Sequence, residues 1–263
     1  MLLFKIIQVI STNAVEYADQ FDGMVYSGIS SMGNEEIRRE TGDMVSMAFA
    51  LQPASGDSRS FFNCDPFVPG NSNEFLYCYL DMDDLRPYLP EFITSNFAIT
   101  FTTELLANEE ITYCGNIRTA GLQSKPTKLQ SIKVRPYQDL PPLDSPFIER
   151  LQFSKHAKRK YETIYDFFRD MVIGEDTGVR LFGYPIAIQE GVEFACSQKV
   201  DAANPVNHHR LTSWRLCIQI AGSEYESDFH RVLSDGLIYL MMKPGSSEID
   251  ISSLTLCTIV QYD

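Results

Sequence analysis

Trp214-Arg215-Leu216-Cys217-Ile218-Gln219-Ile220 is followed, after a polar loop, by Asp235-Gly236-Leu237-Ile238-Tyr239-Leu240-Met241-Met242. In the first stretch Trp214, Leu216, Ile218 and Ile220 recur at every second position, the period of a strand with unlike faces. The second is a nearly continuous apolar run of strand length. Together they predict two neighbouring strands of one sheet. Upstream, Gly183-Tyr184-Pro185 combines a permissive backbone with a fixed one, as a tight turn into a strand requires.

Outward from this centre, residues 254–261 alternate again, with Leu254 and Leu256 set against Thr255 and Cys257. Residues 45–52 alternate as well, with Val45, Met47, Phe49 and Leu51 on one face. Residues 75–80, 97–103, 111–114 and 129–135 are further strand candidates, and 2–10 reads as a strand covered on both faces. Residues 35–40 and 81–89 read as short helices. The strongest helix follows at 157–172: Ala157, Tyr161, Ile164, Tyr165, Phe168, Met171 and Val172 form one stripe at helical period. Strands outnumber helices without sustained strand–helix alternation, so the fold class predicted is α+β with mainly antiparallel sheets.

The length of 263 residues suits one compact domain over 1–263. Four prolines between 136 and 146 read as incompatible with ladder pairing. They would join two halves, 1–135 and 147–263. Residues 47–52 laid over 214–219 place a glutamine at each end, and 75–80 laid over 237–242 align Tyr77 with Tyr239. An internal duplication would explain this echo; so would the period of two that all half-buried strands share.

The formal charge of -13, from 35 acidic and 22 basic residues, opposes contact with a phosphate backbone. Nucleic acid is therefore not an expected partner, whereas a basic protein is. Six cysteines at 64, 78, 114, 196, 217 and 257 form no C-x-x-C pair and read as buried reduced thiols. Residues 1–10 carry only Lys5 and read as a strand, not a signal peptide. No apolar run has membrane-spanning length. The chain reads as soluble and cytoplasmic.

At Gly183-Tyr184-Pro185 with Gln189, then Trp214 to Ile220, then Asp235-Gly236-Leu237-Ile238-Tyr239, the chain resembles the YwqG-like family, a bacterial family of intracellular proteins. The resemblance spans residues 181–242. Phe182 stands where that family has a glycine, Ala221 where it has an aspartate, and no tryptophan precedes Asp235. It implies an α+β fold and no established activity.

Candidate chemistry is sparse. Gln189 and Gln219 interrupt apolar surroundings and must satisfy both an amide and a carbonyl, on backbone or on a ligand. Trp214 and Tyr239 would complete an aromatic wall, and Asp235 suits a turn. His208 and His209 lack metal-ligand spacing, and the acids at 81, 83 and 84 lack a calcium-loop pattern. Neither a catalytic residue, a cofactor nor a metal site is expected. Two functions follow. One is a non-catalytic binding protein, for instance an immunity-type protein whose acidic surface meets a basic toxin. The alternative is a small-molecule enzyme or sensor with Gln189, Trp214, Gln219, Asp235 and Tyr239 around one pocket.

Overall fold

The computed structural model describes residues 46–53, 74–80, 96–105, 111–120, 132–151, 153–169, 179–203, 211–221, 236–243 and 254–262. Its strands are β1 (Ser46–Pro53), β2 (Glu74–Leu80), β3 (Asn96–Leu105), β4 (Ile111–Ala120), β5 (Ile132–Asp139), β6 (Val179–Phe182), β7 (Arg215–Ala221), β8 (Gly236–Lys243) and β9 (Thr255–Tyr262). The helices are α1 (Pro146–Glu149), α2 (Lys155–Phe168) and α3 (Val192–Val200). Six strands form one sheet in the order β5-β1-β6-β7-β8-β9, and β2-β3-β4 form another. Every neighbouring pair is antiparallel. The class is α+β with mainly antiparallel sheet, as the patterning predicts.

The central pair β7–β8 carries a deviation that matters for the rest. Leu216 faces Met241 and Gln219 faces Tyr239, so three steps along β7 match two along β8. The extra residue is a bulge at Cys217. Without it, Leu216 and Gln219 would point to opposite faces of the sheet. With it, both join Tyr239 and Met241 on one face. Leu216, Cys217, Ile218, Gln219 and Ile220 are all buried, as a central strand covered on both sides requires.

Each face has its own cover. On the first, α3 packs Val192 and Cys196 against Trp214, Leu216, Tyr239, Met241 and Cys257. The other face carries Leu181, Ile218, Leu240 and Thr258 in register. There Gly115 of β4 donates its N–H to Thr258 Oγ1 at 2.8 Å, which brings the smaller sheet against the larger.

Helix α2 starts at Ser154, whose Oγ accepts the N–H of Ala157 at 3.2 Å. Its stripe of Ala157, Tyr161, Ile164 and Tyr165 is buried, while Lys155, Lys158, Arg159, Glu162 and Asp166 are exposed. The Tyr161 hydroxyl donates to Pro141 O at 2.6 Å, tying α2 to the segment 141–146 that leads into α1.

Several expectations need correction. Pro136 does lie in a ladder, opposite Phe49. This is tolerated because, among the described residues, β5 is the outermost strand, with no described neighbour on one edge whose bond a proline could cost. The six-stranded sheet consequently draws strands from both sides of 136–146. The echo is not repeated in space: β7 pairs with β8, but β1 and β2 belong to different sheets. Gly183 ends a strand, β6, and does not start one. Cys114 is exposed, not buried. Residues 2–10, 35–40 and 81–89 lie outside the described residues.

The turn after β6 has two consecutive positive φ angles, 59° at Phe182 and 73° at Gly183. Phe182 adopts this conformation while buried edge-on to Phe49, with ring centroids 6.2 Å apart. At Gly183 a Cβ would stand 2.2 Å from Asp139 Oδ2 and 2.9 Å from the Ala48 Cβ. Left-handed strain and displacement of Asp139 add together, so Gly183→Ala should cost about 3 kcal/mol or more in denaturant unfolding. Gly191→Ala, with nothing nearer than Glu193 Oε2 at 4.0 Å, should cost about 1 kcal/mol or less. Equal losses would remove the close approach of Asp139 as the cause.

Candidate functional site

Between β6 and α3 the chain runs as an irregular strap, residues 183–190, over the first face of the large sheet. A strap without regular structure must find partners for its N–H and C=O groups among side chains. The sheet supplies them from four strands. Asp139 of β5 accepts the N–H of Tyr184 at 2.7 Å. Gln219 Oε1 of β7 accepts the N–H of Ile186 at 2.9 Å. The Tyr239 hydroxyl of β8 donates to Ile186 O at 2.7 Å. Gln261 of β9 accepts the N–H of Ile188 at 3.0 Å and donates through Nε2 to Glu190 O at 2.6 Å. Pro185 has no N–H to satisfy.

These side chains lie together because of strand register. Arg180 pairs with Gln219, and Gln219 with Tyr239. A polar row thus crosses three adjacent strands on one face. Gln261 joins through Tyr239, its Oε1 lying 3.2 Å from the hydroxyl.

At the other end of the strap, Arg180 Nη2 meets Asp139 Oδ2 at 2.5 Å, with both side chains almost wholly inaccessible. Asp139 Oδ1 also accepts the N–H of Leu140 at 3.0 Å. Burial pushes the Asp139 carboxyl above its ordinary value, while the Arg180 guanidinium and the two backbone N–H groups pull it down. Arg180 Nε and Nη1 make no hydrogen bond, and the Tyr137 ring lies 5.8 Å from the guanidinium carbon.

Outside the strap, a cavity of about 320 Å³ is bounded by 142–144, α2 and Ile186–Ala187 of the strap. Pro142, Leu143, Ile186 and Ala187 supply apolar walls. Asp144, Glu162 and Asp166 bring three carboxylates, and Lys158 and Arg169 bring two cations. Tyr165 lies at its inner side, its phenol raised by burial in the first place and also by the charge of Asp139. Because Ile186 is bonded at both N–H and C=O, this wall of the cavity is held in place by the sheet beneath.

Glu193, in the first turn of α3, is buried, and its Oε1 has no hydrogen-bond partner. Burial pushes its carboxyl up to about 7; its own backbone N–H and Arg215 oppose this, and Asp144 adds to it. Arg215 lies over the Phe147 ring at 5.0 Å and is itself lowered, mainly by burial.

Of the residues singled out in the sequence, Gln219 and Tyr239 come together and are occupied with the strap backbone. Trp214 is buried in the α3 cluster with Lys243 Nζ 5.5 Å from its ring. Gln189 is exposed and donates to Tyr262 O at 2.6 Å. None of the four lines the cavity described above. Asp235, His208 and His209 lie outside the described residues. Sequence reasoning missed Asp139, Arg180, Glu193 and Gln261. A polar residue at an apolar position marked Gln261 and Arg180 as clearly as Gln219; the others gave no comparable signal. Among the described residues no cluster of His, Cys, Asp and Glu could hold a metal ion, and no helix is long and apolar enough to cross a membrane.

Since the Glu193 carboxyl titrates higher in the folded chain than in the unfolded one, the neutral acid's contribution is complete below about pH 4.5 and is lost as pH rises through about 7. The wild type should therefore lose about 3 kcal/mol relative to Glu193→Gln between pH 4.5 and pH 8, read as the difference between their urea-unfolding free energies. Parallel pH profiles for the two proteins would contradict a buried, neutral Glu193. Compared with protein-family models, curated proteins and solved structures, the chain matches none.

Proposed function

We propose that this chain is a non-catalytic binding protein whose cleft beside α2 receives a basic segment of a polypeptide partner. The observation that carries this reading is the cleft itself. Asp144, Glu162 and Asp166 surround apolar walls from Pro142, Leu143, Ile186 and Ala187. Carboxylates ringing an apolar floor suit a lysine or arginine side chain, whose stem packs on the floor while its head pairs at the rim. Lys158 and Arg169 on the same rim would favour one orientation of the incoming chain. The overall charge of -13 speeds encounter with a cationic partner and discourages nucleic acid.

An immunity-type role, neutralising a basic toxin in the bacterial cytoplasm, is the concrete form of this proposal. Kinship with the YwqG-like family belongs to it as well and adds no activity. A small-molecule pocket around Gln189, Trp214, Gln219 and Tyr239 draws less support, because the Gln219 and Tyr239 side chains are committed to the strap.

A deca-arginine peptide serves as the probe. Glu162→Lys combined with Asp166→Lys should weaken its binding at least about tenfold at low salt. Glu149→Lys with Glu190→Lys changes net charge equally at exposed positions outside the cleft, and should weaken binding no more than about threefold. Equal losses from the two pairs would reduce the effect to net charge and discard the cleft.

A further inference from the structure

Four charged side chains follow one another along the face of α2 that lines the cleft: Lys158, Glu162, Asp166 and Arg169. All four are exposed, and they stand four, four and three positions apart. Arg169 caps α2 with helical angles, φ -56° and ψ -47°, so the helical spacing holds to the end of the row. At a rise of about 1.5 Å per residue the charges fall at intervals of about 6, 6 and 4.5 Å. Their order is plus, minus, minus, plus. Glu162 and Asp166 are like charges one turn apart, an arrangement that weakens a helix standing alone. The remaining walls, from 142–144 and Ile186–Ala187, add Asp144 and an apolar surface.

We propose that the segment received by this cleft is extended and carries two basic residues flanked by two acidic ones, in the order acid-x-base-x-base-x-acid. The proposal rests on the reading of the cleft as a site for a basic segment and adds the charge pattern of that segment. Against basic residues alone, Lys158 and Arg169 only repel. Acids at the flanks turn both into attractive contacts and fix the segment lengthwise, while a uniformly basic segment is penalised.

The spacing is that of an extended chain. There every second side chain points the same way, at a repeat of roughly 6.6 Å. This fits the intervals of about 6 Å from Lys158 to Glu162 and from Glu162 to Asp166. The last interval is shorter by about 2 Å, within reach of the long, flexible side chain of Arg169. An incoming helix, about 10–12 Å across with its side chains, is broad for a cavity of about 320 Å³ walled by both 142–144 and the strap.

The test sets peptides of identical composition and zero net charge against the full chain, so that the overall charge of -13 favours neither. Acetyl-Glu-Ser-Arg-Ser-Arg-Ser-Glu-amide matches the row, and acetyl-Arg-Ser-Glu-Ser-Glu-Ser-Arg-amide opposes it at every charge. In titrations followed by NMR at low salt, the first should bind at least about tenfold more tightly than the second. Lys158→Glu combined with Arg169→Glu should weaken the first at least about fivefold and leave the second no weaker. Should that variant fail to fold, the comparison on the wild type still decides. Equal binding of the two isomers would overturn the charge pattern, and the cleft reading would survive if deca-arginine still depends on Glu162 and Asp166. Deca-arginine indifferent to those two residues would remove the reading and the pattern together. Tighter binding of an alanine-based peptide with the same four charges at helical spacing would overturn the extended conformation.

Discussion

The carboxylate of Asp139 is asked to do three things at once, and the surrounding structure follows from that demand. It pairs with Arg180 of β6, accepts the N–H that opens the strap at Tyr184, and lies where any side chain at position 183 would stand. Taking both charges from water costs several kcal/mol per ion, and mutual attraction returns that cost only when the geometry is good. Two donors of Arg180 are left without hydrogen bonds. The pair thus contributes more to orientation than to net stability. Removing one partner would strand the other, at about 3–5 kcal/mol. What the pair secures is the exit direction of the chain from β6.

From that exit the strap has one course open to it. Its backbone groups need partners, and the polar row of Gln219, Tyr239 and Gln261 supplies them on one face of the sheet. The bulge at Cys217 places Gln219 in this row. A buried amide that fails to find a partner costs about 1–3 kcal/mol, so the row and the strap each make the other tolerable. The same contacts position two walls of the cleft, Ile186 and Ala187. The cleft's geometry therefore rests on the core of the sheet, while its charge comes from the exposed face of α2 and from Asp144.

Much of the architecture was legible because burial imprints a period. The stretches read at 45–52, 75–80, 97–103, 214–220, 237–242 and 254–261 coincide with β1, β2, β3, β7, β8 and β9 to within a residue or two at their ends, and the stripe through Ala157, Tyr161, Ile164 and Tyr165 is the buried side of α2. Elements without that imprint were missed. Helix α3 buries Glu193 and Ser197 beside Val192 and Cys196, so its inner side is half polar and carries no apolar stripe. Strand β6 spans only Val179–Phe182 and buries an arginine. The proline of β5 reads as a ladder breaker until its place at the edge of the sheet is known.

Local chemistry alone determined the class of the fold, the turn at Gly183 and the excess of negative charge. Those depend on side-chain period, on backbone freedom and on composition, all of which act over a few residues or over the whole chain indiscriminately. Which polar side chains meet was decided by tertiary structure. Asp139 and Arg180 stand 41 positions apart, and Gln261 reaches a strap 71 to 73 positions away. Pairing at such separations is set by strand order and register, and a single bulge in β7 is enough to change which residues share a face.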